Sequence, residues 1–275
     1  MTVCAFCFID LSLIRVRLLF SAGSVCAGFS STARPAAKQA ALHRAFLSCD
    51  AQCILEQQRN GQKSGTTACV VVVDHDAIYA SNCGDTRAIL CRAGQAIELT
   101  RDHKPGDPEE KNRMEAAGAR VPPGSGYVEL GDTGLAVARA FGNPLFKNNP
   151  TKSQEKQAIV PTPFISRTPR NHAQDEFLIL ATDGLWNVVS HQYAAEFVRK
   201  RLLASSSFAD VEDIAHKLTQ HALDRKSQDN VTLVIVLFPV AFRGELLAQV
   251  ATIQVQPAAA ASGAAASAAA GSGSK

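Results

Sequence analysis

The chain has 275 residues, enough for one large domain or two small ones with a proper core. Its 46% hydrophobic and 19% charged residues are those of a globular protein, which excludes a chain disordered throughout. With 28 basic against 25 acidic residues, a net charge of +3 and no long basic run, nothing points to nucleic acid or an anionic membrane surface as a partner.

In chain order, the opening "MTVCAFCFIDLSLIRVRLLFSAGSVCAGF" is apolar, but Asp10, Arg15 and Arg17 interrupt any membrane-length run, so no membrane span is expected. The first basic residue is Arg15, unlike the charged start of a signal peptide. Residues 36–57 place Ala40, Leu42, Ala45, Phe46, Cys49, Cys53 and Ile54 at helical spacing, and Asn60-Gly61 and Ser64-Gly65 break the pattern. Strands are predicted over Thr66–Val73, Ala77–Ser81, Thr86–Arg92 and Ala96–Thr100, joined by short turns that suit an antiparallel meander. Asp107-Pro108 with Glu109 and Glu110 opens a helix to about Ala117, stopped by Gly118. Further on come a strand at Phe177–Ala181, helices near Gln192–Leu203 and Val211–Leu223, and a strand at Val231–Phe238. From Pro257 the sequence is nearly all Ala, Ser and Gly, too poor in apolar surface to pack, and is expected to be disordered. Strand runs with helices set apart predict an α+β fold. The eight cysteines are scattered apart from a lone Cys4-x-x-Cys7, which predicts reduced, mostly buried thiols and a cytoplasmic or nuclear setting.

One stretch raises a chemical question. In "FLILATDGLWNVV" an apolar strand runs straight into Asp183, although an ionised carboxylate is costly to bury without a partner. Asp229, in "SQDNVTLVIVLF", stands at the entrance of another apolar strand. If the two strands are antiparallel neighbours, both carboxylates reach one sheet edge and repel unless a proton or a cation lies between them. Oxygen ligands of this kind suit Mg²⁺ or Mn²⁺. Asp85, in a Gly-Asp turn, is a third candidate for that edge. The same aspartates would equally serve as turn and cap residues, and Asp85 taken alone reads that way.

"SGTTACVVVV", "YASNCGDTRAILCR", "LTRDHKPGDPEEKNRMEAAGARV", "LAVARAFGN", "FLILATDGLWNVVS" and "QDNVTLVIV" occur in the order and approximate spacing of the metal-dependent type 2C protein phosphatases, the PPM family. The resemblance covers about Ala36 to Phe238. It implies a four-layer αββα sandwich of two antiparallel sheets flanked by helices, incomplete here at the N-terminal strands. It divides the chain into an atypical segment at 1–35, a phosphatase-like domain at 36–240 and an Ala/Ser/Gly-rich disordered tail at 241–275. It also implies a monomer acting on phosphorylated proteins, with two Mg²⁺ or Mn²⁺ ions and a third, weaker site. In such enzymes the metals activate a water that attacks the phosphorus of phosphoserine or phosphothreonine directly. By motif, Asp183 and Asp229 resemble ligands of the two-metal centre, and Asp85 resembles the aspartate of the third site. Arg139 of "ARAFG" resembles a residue that supports the fold.

Two family segments do not occur in this sequence: R-x-x-x-E-D, whose arginine grips phosphate, and D-G-H-G-G, whose aspartate bridges both metals and whose histidine acts as general acid. The nearest relic is "FCFID", with Asp10 lying 54 residues before Ser64, but it continues Leu-Ser-Leu. Asn143 and Asn187 stand where the family has aspartates. The resemblance therefore implies a protein serine/threonine phosphatase, with a catalytically impaired binding or regulatory module as the alternative.

Overall fold

The central strands are continuous apolar runs because both of their faces are covered. Every residue of Ala68–Val73 and of Val231–Leu237 is buried. The computed structural model describes residues 3–8, 33–204, 210–242 and 250–255. Their strands are β1 (Val3–Phe8), β2 (Gly65–Thr66), β3 (Ala68–Val73), β4 (Ala77–Cys83), β5 (Arg87–Arg92), β6 (Gln95–Glu98), β7 (Val128–Leu130), β8 (Thr133–Leu135), β9 (Phe141–Gly142), β10 (Phe164–Pro169), β11 (Asp175–Ala181), β12 (Val231–Leu237) and β13 (Val250–Val255). The helices are α1 (Pro35–Asn60), α2 (Pro108–Ala116), the single turn α3 (Asp183–Trp186), α4 (His191–Ala204) and α5 (Asp210–Asp224).

Two antiparallel sheets carry the fold, one ordered β1-β3-β4-β10 and the other β13-β12-β11-β5-β6. Alternation along each strand sorts the side chains into layers. Val71, Val73, Leu178, Leu180, Val234 and Val236 meet between the sheets. Val70 and Val72 point the other way, against Leu42 and Phe46 of α1. Phe177, Ile179, Leu233 and Ile235 pack outward against Phe197 and Val198 of α4 and Ile214 and Leu218 of α5. The result is the expected α+β sandwich, helix–sheet–sheet–helix, with α1 on one side and α4 and α5 on the other.

The expected meander is corrected in one respect. Strands β3 and β4 form a hairpin in the first sheet, but β5 and β6 belong to the second, where β5 pairs with β11. The crossing falls at Gly84, whose φ of 104° and close approach to Thr67 exclude a side chain: a Cβ there would lie 2.3 Å from Thr67 Cγ2. The chain thereby leaves one sheet and enters the other within a few residues, which places Asp85 at the junction.

Two terminal expectations also change. The edge of β3 is covered by β1, with Val3 opposite Val73 and Phe8 opposite Ala68. Residues 250–255, assigned by sequence to the tail, form β13 and extend the second sheet beside β12. Asp10 and Pro257–Lys275 lie outside the described residues.

Between the sheets' connections, residues 108–160 build a small cluster of their own around Met114, Phe146 and Ile159. Buried Glu110 ties it together, accepting from Arg113 at 2.7 Å and from Arg139 Nε at 2.8 Å. Arg139 also donates to the backbone oxygen of Thr162 at 2.9 Å, so it supports the fold as expected. On α1, buried Asp50 accepts from the backbone N–H of Gly142 at 2.8 Å and from Lys147 Nζ at 2.5 Å, which fixes the helix to the β9 segment.

Candidate metal-binding edge

Strands β11 and β12 are antiparallel neighbours, with Ala181 opposite Leu233. Chain exit and chain entrance therefore share one edge of the sheet. Thr182 caps the start of α3 and its hydroxyl donates to the backbone oxygen of Asn230 at 2.9 Å. Ser227 Oγ donates to the oxygen of Gly184 at 2.6 Å, closing the second connection between the loops of Asp183 and Asp229. Trp186 Nε1 donates to the oxygen of Ala181 at 2.8 Å and holds the turn down on its own strand.

The glycine of "DGLW" has a packing reason. A Cβ at Gly184 would lie 2.4 Å from the backbone oxygen of Asn230, which cannot move aside as a side chain can. Gly184→Ala should force the two loops apart. A loss of about 1–3 kcal/mol, typical of overpacking, is expected in a denaturant melt, together with weaker binding of divalent cations.

Asp183 is half-buried as the first residue of α3. Burial raises its pKa above the usual carboxylate range, and the charges of Asp85 and then Asp229 raise it further. Lys104 and the hydrogen bond from Asn187 Nδ2, at 3.3 Å, work in the opposite direction. The charges of Asp85 and Asp229 thus both reach Asp183. The three aspartates are not gathered into one ready coordination sphere: among the described residues no group of three His, Cys, Asp or Glu side chains is placed to hold a metal ion. Asp229 is exposed, its Oδ1 accepting from the N–H of Asn230 at 2.7 Å. Asp85 is buried and paired with Lys104 Nζ.

Lys104 was not singled out by sequence, although it lies inside the quoted "DHKP". Its position follows from the neighbouring His103, whose Nδ1 lies 3.0 Å from the oxygen of Gly84 and whose backbone N–H donates to that oxygen at 3.1 Å. Asn82 Nδ2 donates to the oxygen of Arg101 at 2.7 Å. These bonds lay the loop 101–104 on the Gly84 turn and carry the lysine over Asp85. Burial, with Arg139 nearby, lowers the His103 pKa to about 4, so it is neutral at physiological pH and acts as a clamp. Of the two asparagines that replace family aspartates, Asn187 steadies Asp183. Asn143 adopts a left-handed φ of 55° and packs against Gly65.

The donor chemistry fits a hard divalent cation. All three side chains offer oxygen, and the negative charges of Asp85 and Asp229 facing Asp183 are what a cation would relieve.

A family model described as "Protein phosphatase 2C" matches residues 24–231. The chain belongs to the protein phosphatase 2C family. It is 39% identical over 198 residues to a probable protein phosphatase 2C 45 of Oryza sativa subsp. japonica, covering 72% of this chain and 63% of that protein. It is 39% identical over 181 residues to protein phosphatase 1B of Rattus norvegicus, covering 66% of this chain and 44% of that one. The chain thus spans less than two thirds of the length of these curated relatives. A crystal structure of a phosphatase from a pathogenic strain of Toxoplasma gondii shares the fold, with a TM-score of 0.70, 21% identity, and coverage of 92% of this chain and 89% of that one. Metal dependence is general for the family, and the family resemblance and the fold read from the sequence agree with these matches. No helix among the described residues is long and apolar enough to cross a membrane.

Proposed function

We propose that this chain is a metal-dependent protein serine/threonine phosphatase domain that hydrolyses phosphoserine and phosphothreonine with Mg²⁺ or Mn²⁺ held at the Asp183–Asp229 edge. The observation that carries this reading is the antiparallel pairing of β11 and β12, which puts Asp183 at the exit of one strand and Asp229 at the entrance of its neighbour on the same sheet edge; the charges of Asp85 and Asp229 hold the Asp183 pKa above the usual carboxylate range. Asp183 and Asp229 would hold the two-metal centre, and Asp85 a third, weaker ion. When bound, such ions supply a water of lowered pKa and positive charge against the phosphoryl oxygens. The chain's own residues set the frame for that chemistry. Thr182 and Ser227 lock the two aspartate loops together, and Asn187 orients the Asp183 carboxylate. Lys104 pairs its ammonium with Asp85, and its side chain is part-exposed beside that aspartate.

Release of phosphate from a phosphothreonine peptide tests this. Turnover should require Mn²⁺ and disappear in Asp183→Asn; equal release with a chelator present would refute it.

A second reading, a binding module that engages phosphoproteins with little turnover, is favoured by one specific observation. Asp85 already has Lys104 as its counter-ion, and no D-G-H-G-G segment is present to complete the ligand set. Phosphopeptide binding without Mn²⁺-dependent release would select it.

A further inference from the structure

Helices α4 and α5 carry a stripe of rings and arginines. Tyr193, Phe197 and Arg201 follow at intervals of four along α4, so they share one face of it. His221 of α5 stacks on Tyr193, the ring centroids 5.1 Å apart at an angle of 12°, and lies 5.4 Å from Phe197. The guanidinium carbon of Arg201 sits 3.4 Å from the Phe197 centroid, and that of Arg225 sits 4.8 Å from the Tyr193 centroid. Hydrogen bonds fix both arginines. Arg201 donates to the oxygen of Phe197 at 3.2 Å, and Arg225 donates to the oxygen of Val188 at 3.2 Å and to His221 Nε2 at 2.9 Å.

Among the described residues neither guanidinium has a carboxylate partner, whereas Arg199 on the same helix is paired with Glu176 at 2.8 Å. The acidic side chains next to the stripe in sequence, Glu196 and Asp224, are bonded instead to Gln192 and Gln220, each at 2.9 Å. Tyr193 and Arg225 are exposed, and Arg201 and His221 are half-buried.

We propose that this stripe docks an acidic peptide segment of the substrate protein, two carboxylates of one extended chain taking the Arg225 and Arg201 guanidinium groups. A planar guanidinium already held against a ring has less freedom to lose when it pairs than a free one, and it keeps N–H edges for a carboxylate. The eight residues from Tyr193 to Arg201 rise about 12 Å along α4, which about four residues of extended chain span. The two acidic residues therefore belong about four positions apart. Nucleic acid fits less well. The ring faces are engaged by one another and by the arginines rather than open for base stacking, and the exposed Glu196 and Asp224 would repel a continuous phosphate backbone.

The stripe also reaches the candidate metal-binding edge. Arg225 lies four residues before Asp229, and it holds the oxygen of Val188, five residues after Asp183. That the segment belongs to the substrate, near its phosphorylated residue, rests on the phosphatase reading; the docking of an acidic segment does not.

The test is fluorescence anisotropy of a labelled, unphosphorylated peptide of about ten residues, with two glutamates about four positions apart, titrated with the full chain in the absence of metal. With neither phosphate nor metal present, its outcome is independent of the phosphatase reading. Replacing both glutamates by glutamine should weaken binding about tenfold, and Arg201→Gln or Arg225→Gln should each weaken it about threefold. Arg59→Gln, on α1 at the other side of the sandwich, should bind as the wild type does. The double variant Arg201→Glu with Arg225→Glu should prefer a peptide carrying lysines in place of the glutamates, a gain that misfolding cannot mimic. No saturable binding up to about 1 mM, an equal loss in Arg59→Gln, or tighter binding of a single-stranded RNA of similar length would overturn the proposal.

Discussion

Glu110→Gln should cost roughly 3 kcal/mol of stability, near the lower end of what breaking one partner of a buried ion pair removes. Glu110 is 4% exposed and is the common acceptor for Arg113 and Arg139, so its loss leaves two part-buried guanidinium groups with no opposing charge. For a domain of this size the thermal midpoint should fall by about 6–12 °C. The pH dependence follows from the sign of the shift. Burial alone would raise the Glu110 pKa, but the hydrogen bonds and charges of Arg139 and Arg113 outweigh it, so the folded-state value lies below the usual one. The stabilisation is therefore fully present above the unfolded-state pKa and is lost as pH falls through the lower, folded-state pKa. Wild type and variant should differ most at neutral pH and converge in acid, which melts run as a pH series would show. A difference that persists unchanged below that pKa would mean the pair is not ionic.

Turnover by this chain should be at least about a hundredfold below that of a relative that carries D-G-H-G-G, at millimolar Mn²⁺ and on the same phosphothreonine peptide. A single positioned general acid or base contributes typically about 10²–10⁴ in rate. The family histidine that serves as that acid has no counterpart in this sequence, and neither has the phosphate-gripping arginine of R-x-x-x-E-D. The histidine that the described residues place beside the Gly84 turn does not match it: His103 is buried, neutral and engaged with Gly84. The Arg87 guanidinium, near the same edge, is committed to Asp102 at 2.8 and 3.0 Å. Steady-state rates with and without Mn²⁺ check this, and a rate equal to that of the complete relative would show that another residue supplies the missing proton transfer.

Much of the architecture was legible in the residues. The helix expected over 36–57 runs from Pro35 to Asn60, and the helix stopped at Gly118 ends at Ala116, with Gly118 at a φ of 96°. Apolar runs bounded by turn residues gave β3, β4, β5, β11 and β12 to within a few residues. Besides the two terminal strands, β10 and the division of the hairpins escaped. Strand β10, "FISRTP", ends in proline and mixes Ser and Arg with its apolar positions because it is a half-exposed edge strand, so neither alternation nor an apolar run marks it. The division of the hairpins between two sheets was equally hidden. It depends on the tertiary fit of Gly84 against Thr67 rather than on local propensity. For the candidate site, the shared edge of Asp183 and Asp229 could be read from their places at the ends of two apolar strands. Lys104 could not, because its role depends on three hydrogen bonds from His103 and Asn82 that fold its loop back over Asp85.

The most direct test of the metal-binding edge is thermal melting of the wild type and Asp183→Asn, each with and without Mn²⁺. Asp183 has a folded-state pKa raised above its unfolded value, so its ionised form opposes folding above that pKa and the penalty is absent below the unfolded pKa. Without metal at neutral pH, the asparagine variant should therefore melt above the wild type. Mn²⁺ at ten times its dissociation constant should stabilise the wild type by about 1.4 kcal/mol. The variant should gain little at the same concentration, since even an outer-shell partner is worth about 10–100-fold in metal affinity and a ligand at least as much. A variant that melts below the metal-free wild type and responds to Mn²⁺ as strongly as the wild type would contradict the assignment of this edge as the cation site.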